Sequence, residues 1–99
     1  MSADSPIMKK ELREYVDFLG YSESELLRKN REETKKLGSV SIMQVGAAQG
    51  AFLSILCKCG KFKNCLELGV FTGYSSLCIS SAIESDSKLT VIDNNNCLL

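Results

Sequence analysis

The residues with chemical pattern in this chain fall in one short segment and at one position beyond it. Residues 65–76 read CLELGVFTGYSS. Glu67 precedes a turn bracketed by Gly69 and Gly73, Ser75 follows it, and Asp93 closes the next apolar run. A strand that feeds a glycine turn and then a helix presents its ligand at the carboxyl end of an open α/β sheet. Glycine reaches backbone conformations closed to other residues and lets a ligand approach the main chain. The helix that follows offers free N–H groups and the positive end of its dipole near Tyr74–Ser76, where an anionic group is favoured. Ser75 can add a hydroxyl donor.

The motifs this segment lacks narrow its ligand. A dinucleotide turn needs G-x-G-x-x-G, so that bare backbone faces the pyrophosphate. Here Phe71 stands at the second glycine position and Tyr74 at the third. A phosphate-binding loop of the Walker type needs Gly-Lys-Ser/Thr, which is absent from this segment. S-adenosylmethionine carries an ammonium, a carboxylate, a sulfonium and a ribose, and no phosphate. Glu67 suits the cationic amino-acid end, and Asp93 is placed to accept the ribose hydroxyls. Two other readings stay open: a nucleotide- or NAD-binding Rossmann domain, and carboxylates that merely cap strand ends.

These residues need elements to hold them. Met8, Leu12, Tyr15, Val16 and Leu19 form one helical stripe that Gly20 ends. Ser22-Glu-Ser-Glu25 fits a capping box opening a second helix. That helix is rich in charge, with Leu26, Leu27 and Leu37 as its apolar anchor, and reads as a solvated surface helix. After a connector over Gly38–Val45, a third helix repeats the stripe with Ala48, Phe52, Ile55, Leu56 and Cys59, and Gly60 stops it. Cys65–Leu68 reads as a buried parallel strand. A helix over Tyr74–Glu84 buries Leu77, Cys78, Ile79, Ala82 and Ile83, and Leu89–Ile92 is the second strand. The order is helices over 1–60 and a β-α-β unit over 61–99, taken as a single partial domain. Doubly wound sheets have more strands than two, so the chain reads as the front part of a larger domain.

Bulk properties narrow the classes. The chain has 99 residues, and Lys plus Arg equals Asp plus Glu at 12 each, which removes the electrostatic case for nucleic acid or a polybasic membrane contact. It has no histidine, which excludes a Ser-His-Asp triad, a Cys-His pair and a histidine zinc site within it. Met1–Lys10 lacks a signal-like apolar region, and no run is expected to reach the span of a membrane helix. The five cysteines, with Cys57 and Cys59 as a C-x-C, read as reduced core thiols of a cytoplasmic protein rather than a metal site.

Glu67–Ser75 resembles the E-(I/L)-G-x-(F/Y)-T-G-Y-S signature of the cation-dependent O-methyltransferases, the caffeoyl-CoA O-methyltransferase-like family related to catechol O-methyltransferase. Met43-Gln-Val45 with Gln49-Gly50 and Phe52-Leu53 resembles that family's M-x-(V/T/I)-x-x-x-x-(Q/E/G)-G-x-F-L segment, and Arg31-Glu-Glu-Thr34 resembles the helix leading into it. The resemblance implies an α/β, Rossmann-like class I S-adenosylmethionine-dependent methyltransferase fold, here truncated after the first β-α-β unit and preceded by N-terminal helices. It implies methyl transfer to a hydroxyl of a small catechol- or phenylpropanoid-like acceptor, a homodimer, and a divalent cation, usually magnesium. The cofactor positions it carries over are Val45, Glu67, Gly69, Val70, Ser75 and Asp93. The metal ligands and general base of the family lie beyond its second strand, so no catalytic or metal residue is assigned here. The 99-residue chain is expected to be inactive alone. The alternative is a non-catalytic truncated isoform or interaction module that pairs with a full-length homologue.

Overall fold

The computed structural model describes residues 8–94. The lead at Met1–Pro6 and the tail with Asn95, Asn96 and Cys97–Leu99 lie outside the described residues.

Three α-helices precede the β-α-β unit. Helix α1 spans Lys10–Leu19 and ends with Gly20 in the right-handed region (φ −80°), its N–H donating to the Val16 carbonyl at 2.7 Å. The expected left-handed glycine stop is not used. Glycine is needed there for clearance, because a Cβ would stand 2.7 Å from that same carbonyl oxygen. Helix α2 spans Glu25–Lys35. Its N-cap is Ser24, whose hydroxyl accepts from the Leu27 N–H at 3.3 Å, so the capping box at Ser22 is corrected by two residues. Either serine offers the same oxygen; Ser24 is the one whose extended backbone (ψ 162°) turns that oxygen back over the first turn. The connector folds as a short 3₁₀ helix, Gly38–Met43.

Helix α3 spans Ala47–Gly60, and its left-handed terminal residue is Lys61 (φ 49°), not Gly60. Gly60 instead leaves room for the Phe62 ring, which a Cβ would meet at 2.3 Å. The segment Gly38–Gly60 is apolar and long enough by composition to cross a membrane, which corrects the expectation that no run approaches that length. The backbone breaks it at Gln44–Gly46, and the 14 residues of α3 extend about 21 Å, short of a hydrocarbon core about 30 Å thick.

Strand β1 (Asn64–Leu68) pairs in parallel with β2 (Lys88–Ile92), in the register Asn64 opposite Lys88 through Leu68 opposite Ile92. Helix α4 (Tyr74–Ala82) makes the crossover and packs along α3. Lys63 Nζ ties the far end of the unit to Glu84 at 2.6 Å and Asp86 at 2.9 Å. The buried centre is small: Tyr74, Cys78 and Cys57, with Gly50 of α3 meeting Tyr74 and Cys78 of α4. Of the α4 positions expected to be buried, Cys78 is buried, and Leu77, Ile79, Ala82 and Ile83 are half-buried.

The stripe read on α3 is the uncovered side of that helix. Phe52 is 61% exposed and Ile55 60%, while Gly50 and Cys57 face inward. Small residues let two helices approach closely, and here the close contact with α4 outranks the apolar periodicity. One face of the sheet is also uncovered among the described residues, with Leu66 64% and Leu68 71% exposed.

Candidate functional site

The turn between β1 and α4 is built from left-handed residues. Gly69 (φ +84°) leaves the strand and Gly73 (φ +87°) enters the helix. Neither has a neighbour within 4 Å of where a Cβ would stand, so what demands glycine is the backbone angle rather than crowding. Between them Phe71 also takes a left-handed angle (φ 50°), which costs a side-chain-bearing residue of order 1–3 kcal/mol. Asp93 holds it there: its Oδ2 accepts from the Val70 N–H at 2.7 Å and the Phe71 N–H at 3.0 Å. The Gly69 N–H donates to the Ile92 carbonyl at 2.7 Å, extending the ladder one step past the strands. Asp93 therefore acts across the end of the sheet on the turn itself, a contact that spacing in the sequence does not reveal.

Glu67 alternates toward α4 and is held by the first turn of that helix. Ser75 Oγ donates to Glu67 Oε2 at 2.6 Å, and Ser76 Oγ donates to Glu67 Oε1. Two hydroxyls fix the orientation of the carboxylate. The Ser75 proton is thereby committed to Glu67, and the donor left to Ser75 is its backbone N–H in the first turn of α4. Ser76, not singled out in the sequence, shares the work.

A cavity of about 50 Å³ lies against the turn, lined by Met43, Gln44, Val45, Gly69, Val70, Phe71, Thr72, Tyr74 and Ser75. Of the residues expected at a cofactor, Val45, Gly69, Val70 and Ser75 line it; Glu67 and Asp93 do not and instead grip the turn from either side. Ligand pockets run to about 300–1,000 Å³, and this cavity lies well below that range.

Tyr74, which stands at the third glycine position of a dinucleotide turn, is packed into the helix interface. It is 2% exposed, its ring packs against Gly50, and its hydroxyl donates to Glu23 Oε2 at 2.6 Å. Burial, and then the Glu23 acceptor, push its phenol above the ordinary range.

Thr72 is gripped from α2. Asn30 Nδ2 donates to the Thr72 carbonyl at 2.9 Å, and the Thr34 and Thr72 hydroxyls meet at 2.8 Å. The surface-helix reading of α2 thus holds for its charged face and fails for Asn30, Arg31 and Thr34. Thr34 is 2% exposed, which a threonine in a charged helix does not announce in the sequence.

Among the described residues no group of three cysteine, aspartate, glutamate or histidine side chains could hold a metal ion. The donor set for a divalent cation is therefore not found in them.

Comparison with known proteins agrees with this geometry. A sequence model described as O-methyltransferase matches residues 17–98. A caffeoyl-CoA O-methyltransferase of Populus kitakamiensis is 40% identical over 98 residues, covering 96% of this chain and 42% of that protein. Tapetum-specific methyltransferase 1 of Arabidopsis thaliana is 40% identical, covering 91% of this chain and 40% of that protein. The structure of the O-methyltransferase TomG of Streptomyces achromogenes, in complex with SAM, superposes with a TM-score of 0.76 at 27% identity, over 92% of this chain and 43% of that one. A Bacillus cereus O-methyltransferase shares the fold at a TM-score of 0.69 and 20% identity, over 87% of this chain and 39% of that one. The chain thus spans well under half the length of these relatives. A left-handed glycine turn, an acid held beneath it and a second acid bracing it from the next strand are set in the Rossmann-like frame of those structures, and over most of its length this chain belongs to the O-methyltransferase family.

Proposed function

We propose that the turn at Cys65–Ser76, with Val45 and Asp93, binds S-adenosylmethionine. We propose further that the chain carries the cofactor-binding part of an O-methyltransferase for a small catechol- or phenylpropanoid-like hydroxyl acceptor. One observation carries the reading: Glu67, held by two α4 hydroxyls, stands beside a glycine turn that opens onto a helix N-terminus. Acid and helix N-terminus side by side suit a zwitterionic amino acid. Glu67 accepts from the ammonium, the Ser75 N–H faces the carboxylate, and Gly69 and Val70 supply main chain. Val45 lines the opposite side, and Asp93 takes the ribose hydroxyls while bracing the turn. When bound, S-adenosylmethionine supplies an electrophilic methyl on a sulfonium. The names of the plant relatives support the acceptor class.

Calorimetric titration tests the cofactor reading. S-adenosylhomocysteine binds the wild-type chain, NAD does not, and Glu67→Gln weakens binding at least about tenfold, as loss of a charge-assisted hydrogen bond does. Binding of NAD in preference to S-adenosylhomocysteine would overturn it. The chain alone is expected to transfer no methyl group; product formed by the purified chain would count against that.

A second reading is favoured by the uncovered apolar faces of α3 and the sheet. The chain pairs with a second copy or with a full-length homologue, and co-purification with such a homologue tests it. A cytoplasmic location is proposed on the free thiols of Cys57, Cys59, Cys65 and Cys78.

A further inference from the structure

The wall of the cavity formed by Gln44 and Val45 comes from outside the β-α-β unit, and side chains of α2 hold it, with Arg31 bonding both residues. Arg31 reaches out of α2 with its whole guanidinium engaged. Its Nη1 donates to Gln44 Oε1 at 3.2 Å and its Nη2 to the Val45 carbonyl at 3.1 Å. Its Nε faces Glu23 Oε1 at 3.2 Å, and its Cζ lies over the Tyr74 ring, 4.5 Å from the ring centre. Glu23 in turn accepts from the Tyr74 hydroxyl, which closes a loop of contacts from the Val45 backbone to the first residue of α4. Gln44, 5% exposed, then donates to Asn30 Oδ1 at 2.7 Å and to Thr34 Oγ1 at 3.1 Å.

We propose that Arg31 is a positioning residue for the cofactor site. It sets the Gln44–Val45 wall at a fixed distance from the glycine turn by bonding the wall and stacking on the turn's Tyr74 at once. This rests on the reading of the turn as the S-adenosylmethionine site. The role needs arginine. A planar fork can bond Gln44, Val45 and Glu23 together while lying on an aromatic face, whereas a lysine ammonium is a single point charge that cannot span them.

The experiment compares the full 99-residue chain with Arg31→Lys and Glu67→Gln. Three quantities are read: the affinity for S-adenosylhomocysteine by calorimetry, the ligand-free melting temperature, and the ligand-free amide shift of Gly46, whose N–H shares a peptide with the Val45 carbonyl. Arg31→Lys is expected to bind about tenfold more weakly, the loss that follows from one charge-assisted hydrogen bond. It also moves the Gly46 amide before any ligand is added. Glu67→Gln weakens binding and leaves that amide in place. Wild-type affinity in Arg31→Lys, or weaker binding with an unmoved Gly46 amide, overturns the positioning role while leaving the site reading intact. A wild-type chain that fails to bind S-adenosylhomocysteine sinks the site reading, and the proposal with it.

Discussion

Single residues set the tolerances of this molecule. Gly50 is the tightest point: a Cβ there would stand 2.8 Å from both Cys78 Sγ and Tyr74 Cε1. Gly50→Ala is expected to destabilise by about 1–3 kcal/mol, the usual cost of overpacking, read as a lower midpoint in urea. Tyr74 gives the molecule an alkaline limit. Its phenol is raised from the ordinary 10.0 by burial and by the Glu23 acceptor. The folded state favours the protonated phenol, so this stabilisation is complete below pH 10 and is lost as pH climbs from there toward the raised folded value. The melting temperature should therefore fall above pH 10, and Tyr74→Phe, which cannot ionise, should flatten that part of the profile. A Tyr74→Phe profile as steep as the wild type's would place the alkaline transition elsewhere.

Elements meet at the turn, and β2 reaches it through Asp93. Removing that carboxylate with Asp93→Ala leaves the Val70 and Phe71 N–H groups without the oxygen that holds them. Their hydrogen exchange should quicken about tenfold, and affinity for S-adenosylhomocysteine should fall with it. Exchange at wild-type rates would show that the turn keeps its left-handed path unaided. Helix α2 depends on its cap in the ordinary way. Ser24→Ala should cost about 0.5–1 kcal/mol, seen as reduced helicity and a lower midpoint. The position of that cap was not legible in the sequence, where the S-x-x-E spacing from Ser22 to Glu25 pointed to Ser22; the backbone leading into the helix places it at Ser24 instead. The glycine turn was legible because left-handed backbone leaves a chemical signature. The Asp93 brace was not, since the sequence cannot say which donors a carboxylate at a strand end will find.

At the scale of the whole molecule, apolar surface is left over. Phe52 and Ile55 on α3, and Leu66, Leu68 and Ile92 on the sheet, are all more than half exposed. The chain should therefore associate as its concentration rises, visible in sedimentation velocity. Phe52→Glu and Leu68→Glu should each suppress this, because a charge on an apolar face must be desolvated when the face is covered. A chain that stays monomeric at high concentration would show these faces to be harmless in water. Periodicity found the stripe on α3 but assigned it no side, for a stripe is equally regular whether a neighbour covers it or not.

The sequence by itself determined the strand–turn–helix order of the Cys65–Ser76 segment and the acids at the ends of the two strands, Glu67 and Asp93. These follow from local rules: a short apolar run, glycines where the backbone turns left-handed, and a carboxylate at each strand end. Tertiary structure alone decided what those groups touch. It sent Tyr74 into the helix interface, gave the Ser75 hydroxyl to Glu67, and drew Arg31 from a charged helix to hold Val45. The physical reason is range: backbone angles are fixed by neighbours in the chain, whereas a hydrogen bond between distant residues exists only after packing has brought them within reach.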